Sequence, residues 1–194
     1  MKRVFLTFVL VAVFCGFFAS AQNVNFVFRA KAVSPQTGEQ VKNPVSTALR
    51  SMLPRTRTNT LGAIEAMPAD KFNYKPTAEQ MTFAHLVVHM IGFNNSMCAK
   101  AADVPAPKVE EVKETDSKEK LLAAATASFD FCNEALEKMD DAKLGDSIEL
   151  FGGHQGPRAM AALILASGWA DHYSTAAMYL RLNGILPPSA QKKK

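Results

Sequence analysis

The chain is poor in residues that usually announce chemistry. Four histidines, three cysteines and a single tryptophan stand among 194 residues. Cys15, Cys98 and Cys132 form no Cys-x-x-Cys pair, which argues against a dithiol redox site. No local motif supports a Ser-His-Asp or Cys-His nucleophile. The glycine-rich stretch FGGHQGP around His154 lacks the Gly-Lys-Ser/Thr end of a phosphate-binding loop, so His154 reads as a surface or capping histidine. There is no internal repeat and no low-complexity domain. After the N-terminus, no apolar run approaches the roughly 20 residues of a bilayer span.

What is present at the start is an export signal. Lys2 and Arg3 precede an apolar run from Val4 to Phe18, and Ala19-Ser20-Ala21 is a small-x-small cleavage site. The run is short for a stable membrane anchor, and Phe14 before Cys15 is too bulky for a lipoprotein signal. Residues 1–21 are therefore expected to be removed, with a mature chain starting at Gln22 in the periplasm or outside the cell. That chain is long enough for one domain with a real core. Without Lys2 and Arg3 it holds 20 basic and 18 acidic residues, a net charge of +2, so the high isoelectric point does not point to nucleic acid. The closing Lys192-Lys193-Lys194 reads as a solvated tail over residues 191–194. Cys98 and Cys132 remain after processing. Two cysteines in an oxidising compartment allow a disulfide, and two buried thiols are the alternative.

Helical spacing dominates the remainder. Residues 22–43 read as a leader or arm, and 44–190 as an all-α four-helix bundle. The first helix spans about Val45 to Met67, with Pro54 either kinking it or marking its start. Thr77 with Gln80 predicts the cap of a second helix reaching about Ala101. On it Met81, His85, Leu86, His89, Phe93 and Met97 share one face. The charged, proline-bearing stretch 102–116 is a long connector. Asp116 with Glu119 predicts the cap of a third helix, along which Leu121, Leu122, Ala125, Phe129, Cys132, Leu136 and Met139 follow helical spacing. Ser147–Phe151 is briefly extended. Pro157 suits the first turn of a last helix, which Asn183-Gly184 stops near Leu182.

His89 and His172 sit mid-helix on apolar faces and are predicted to face inward at the same depth, as bundle-core metal ligands do. Around His172, HYSTAAMYLRLNGILPPS resembles the C-terminal signature of the DinB-like superfamily. MPADKFNYKPT, MTFAHLVVHMIGFNNSMC and CNEALEKMDDAKL resemble its first connector and its second and third helices. The resemblance spans roughly residues 45–190. It implies an up-down-down-up bundle in which the 102–116 connector crosses between parallel second and third helices. In that arrangement Cys98 and Cys132 would lie within about 6 Å in height, at 1.5 Å of rise per residue, so a bridge is geometrically conceivable.

The resemblance also implies a divalent metal, zinc or nickel, on three histidines: one from the second helix and two, four residues apart, from the last. Relatives of that kind include thiol-dependent transferases and metal-dependent hydrolases acting on small molecules, and such bundles commonly dimerise. His89 and His172 match two ligand positions, but the third position is Gly168. Two readings stay open. The site is a weak or vestigial pair, in a protein of unassigned activity. Alternatively, His85 joins His89 and His172 in a rearranged triad serving a small-molecule hydrolase or transferase, with Gly168 leaving it room. Asp171 is about 100° around the helix from His172 and a poor co-ligand. Trp169 reads as a packing residue and Arg181 as a donor to carbonyls at the helix end.

Overall fold

The computed structural model describes residues 40–191, so the expected signal segment 1–21, most of the leader and the last three lysines lie outside the described residues. Four helices carry the fold: α1 (Pro44–Ala66), α2 (Phe83–Ala102), α3 (Lys118–Glu137) and α4 (Arg158–Leu182). Two short strands, β1 (Ser147–Glu149) and β2 (Gln155–Pro157), pair antiparallel before α4. No helix among the described residues is long and apolar enough to cross a membrane.

Helix ends follow local chemistry, with two shifts from the predicted positions. α2 is capped by Thr82, whose hydroxyl accepts from the His85 amide at 3.0 Å. The Thr77–Gln80 pattern instead closes a turn. α3 is capped by Ser117, one residue beyond Asp116, with the Lys120 amide as donor. Asp, Ser and Thr side chains can each accept from free first-turn N–H groups, so local pattern alone does not choose among nearby candidates. α1 runs unbroken through Pro54 and starts with Pro44 in its first turn. Its first amides are satisfied from a distance: the Asp141 carboxylate accepts from Val45 N at 2.7 Å and Ser46 N at 3.0 Å. A carboxylate there also meets the positive end of the helix dipole.

Contact order along the helices gives their directions. Asn94 and Cys98 of α2 meet Ser128 and Cys132 of α3, so these helices run parallel. From Met81 to Lys100 the chain meets α4 in reverse order, through Tyr179, His172, Trp169 and Arg158. Arg50, Arg57 and Glu65 of α1 meet Leu136, Asp130 and Lys118 of α3, also in reverse. Read along the chain, the helices run up, down, down and up. α2 and α3 are locked by the disulfide Cys98–Cys132, with Cα atoms 5.2 Å apart and both cysteines fully buried.

The core face of α2 is not the one its histidines occupy. Phe83, Val87, Met90, Asn94, Met97 and Cys98 are buried, whereas Met81, His85 and His89 are exposed and Phe93 is half-buried. His85, His89, Gly92, Ser96 and Lys100 recur at helical spacing and mark the outer side of α2, away from its apolar residues. The expected pair of inward histidines is thus corrected: His172 is buried, and His89 stands at the solvent edge of the α2–α4 seam.

Candidate functional site

The site is built on that seam. Because α2 and α4 run in opposite directions, residues four apart on one meet residues four apart on the other. His89 lies against His172, and one turn further Phe93 lies against Gly168. The imidazoles stand perpendicular, at 88°, with their Nε2 atoms 3.2 Å apart. This distance serves an N–H···N hydrogen bond between two neutral rings. It also matches two neighbouring corners of a tetrahedral metal, which at 2.0–2.1 Å per bond sit about 3.3 Å apart.

His172 keeps 9% of its surface exposed. Burial, reinforced by the neighbouring His89, pushes its pKa down to about 4, against a smaller opposing effect of Asp171. It is therefore neutral at pH 7, with one ring nitrogen free to accept. Thr60, Asn94 and Trp169 lie on its inner side. Trp169 donates to Asn94 Oδ1 at 3.0 Å, and Asn94 Nδ2 donates to Ser128 Oγ at 3.1 Å, which itself donates to the Ala125 carbonyl at 2.8 Å. The three side chains are buried. Their linked hydrogen bonds tie α2, α3 and α4 together one turn from the histidine pair. Asn94 went unread in the sequence. The only signal was an amide at helical spacing from Met90, Ile91, Met97 and Cys98, and Trp169 does more than pack.

The position at which the resemblance implies a third ligand, Gly168, is taken up by another side chain. A Cβ placed on Gly168 would overlap the Phe93 ring, lying 2.8 Å from Cε1 and closer still to Cζ. The ring also stacks edge-on against His172, with centroids 4.6 Å apart. The space left by Gly168 therefore belongs to Phe93. His85 lies a turn away in the other direction, with Nδ1 2.7 Å from Glu114 Oε1 of the connector. Glu114 also accepts from Thr82 Oγ1 at 3.0 Å. These two hydrogen bonds, His85 first, hold its carboxyl below the usual range. Among the described residues no three His, Cys, Asp or Glu side chains gather closely enough to hold a metal ion. The residues present thus do not fit a three-histidine centre, though His89 and His172 alone fit two metal corners.

His154 is exposed in the tight turn between β1 and β2, where Gly152 and Gly153 adopt left-handed φ of 56° and 81°. Asp171 is exposed, and no hydrogen bond links it to the pair.

A family model described as the DinB superfamily matches residues 52–174. No curated protein matches the chain. Among solved structures, the chain is similar to a DinB-like protein from Bacillus subtilis. The TM-score is 0.59 at 18% identity, covering 75% of this chain and 99% of that one. A DinB-like protein from Bacillus cereus gives a TM-score of 0.58 at 14% identity, covering 72% and 93%.

Proposed function

The chain belongs to the DinB superfamily, and from that premise we propose that it is an exported, non-catalytic member of it. In this reading the bundle is a binding scaffold, and His89 with His172 forms a weak two-point grip for a divalent metal such as zinc or nickel. One observation carries the reading: the Phe93 ring occupies the place of the third ligand at Gly168. Two imidazoles leave most of a metal's coordination to water. Tight zinc sites are closed by four protein ligands, and catalytic ones hold three. The alternative, a hydrolase or thiol transferase using His85, His89 and His172, would require His85 to leave Glu114, its 2.7 Å partner.

Metal titration of protein made without a histidine tag tests this proposal. The protein is expected to lose zinc and nickel on gel filtration, and to melt higher only when either ion is in large excess. His89→Ala and His172→Ala should each abolish that rise. Zinc retained at one ion per chain through gel filtration would overturn the proposal. As a converse, Gly168→His combined with Phe93→Ala is expected to convert weak into retained binding.

A further inference from the structure

α1 is basic on balance: it carries Arg50, Arg55 and Arg57 against one acidic residue, Glu65, in its last turn. Two of these arginines are tied to the bundle. Arg50 donates to the Leu136 carbonyl at 2.9 Å, and Arg57 pairs with Asp130 at 2.7 Å. Arg55 makes no side-chain hydrogen bond or ion pair among the described residues, and it stands where two clefts on the α1–α4 side meet. One cleft, of about 390 Å³, lies against Met52, Trp169 and Tyr173. The other, of about 550 Å³, continues along the Pro188 turn. Arg55, Asn59 and Ser189 line both, which makes them one continuous groove, and no acidic side chain lines either part.

The chemistry of this groove is one-sided. A guanidinium with no counter-ion offers a planar fork of donors suited to a carboxylate. Asn59 adds an amide. The Tyr173 hydroxyl accepts from Ser189 N at 2.9 Å, so its own O–H remains to donate. Beside Arg55 on the same helix, Met52 supplies an exposed apolar surface, and the buried Trp169 lies beneath as the floor. The end of the groove is closed by the turn at Pro188, which can sit this near α1 because residue 62 is glycine: a Cβ there would lie 3.0 Å from Pro188 Cγ. The volume is in the range of small-molecule sites. This groove lies on the opposite flank of α4 from His89.

We propose that the α1–α4 groove binds a small organic carboxylate, the anion on Arg55 and the apolar body against Met52 and Trp169. Trp169 is the only tryptophan and underlies the groove, so its fluorescence is the probe for binding there. Benzoate titrated into the oxidised, purified protein is expected to change that fluorescence saturably and less strongly at high salt. Neutral benzamide should bind at least about tenfold more weakly, as should benzoate to Arg55→Gln, a charge-assisted hydrogen bond being lost in each case. Arg57→Gln, which removes a cation outside the groove, should bind benzoate like the wild type. Melting curves establish that both variants are folded; Arg55 is exposed, so its replacement should leave the midpoint unchanged. The proposal is overturned by an absent or unsaturable response in the wild type, by unaltered affinity in Arg55→Gln, or by benzamide binding as well as benzoate.

Discussion

At Gly168 a single missing side chain reorganises a site. The Phe93 ring sits where a Cβ would be, in contact with His172 on its other edge. Gly168→Ala is therefore expected to destabilise the protein by about 1–3 kcal/mol, the usual cost of overpacking. Phe93→Ala, costly by itself, should lose less when Gly168→Ala is already present. Urea unfolding of the two single variants and the double variant measures that coupling. His172 carries a second prediction. Its pKa is about 4 in the folded chain and near the ordinary 6.5 in the unfolded one. Between these values the unfolded chain holds the extra proton, so stability present above pH 6.5 is lost as pH falls toward 4. Unfolding midpoints of metal-free protein from pH 7 to pH 4 should show this decline, and His172→Gln should flatten it. Carboxylates with lowered pKa, Glu114 among them, contribute their own loss at the acid end of that range.

At the scale of elements, direction decides what can meet. Parallel α2 and α3 place Cys98 beside Cys132, although 34 residues separate them in sequence. Closing a loop of that length removes unfolded-chain entropy worth about 4 kcal/mol in the chain-entropy picture. Cys98→Ala with Cys132→Ala is expected to lower stability by about 2–4 kcal/mol, read by urea unfolding. Intact-mass measurement should show the wild type gaining two hydrogens on reduction. Antiparallel α2 and α4 have the opposite consequence. Stepping from His89 toward Phe93 on α2 means stepping from His172 toward Gly168 on α4. His85 therefore moves away from Gly168, and the rearranged triad is not assembled. His85 instead pins the 103–116 connector to the start of α2 through Glu114.

For the whole molecule, the buried disulfide agrees with the export expected from residues 1–21. Disulfides persist in oxidising compartments, which supports the proposed export. N-terminal sequencing of the protein recovered from a fractionated cell checks this. A chain starting at Gln22 outside the cytoplasm is the expected outcome, and an intact Met1 in the cytosolic fraction would refute it. The proposed anion groove, on the α1 side of α4, and the histidine pair, on its α2 side, then lie on two flanks of one helix.

Much of the bundle was legible in the letters of the chain, because helical spacing, prolines and stop signals act over a few residues. α1, α3 and α4 lie within a residue or two of their expected limits, and the glycine at position 168, where the resemblance implies a histidine, is plain in the sequence. The start of α2 was not legible, because several hydroxyls can cap a helix; its outer side was, in the stripe His85, His89, Gly92, Ser96 and Lys100. Which histidine is buried, what fills the gap at Gly168 and which arginine stands unpaired all depend on how distant residues meet. Those meetings follow from helix direction and register, set by packing over the whole core rather than by any one segment.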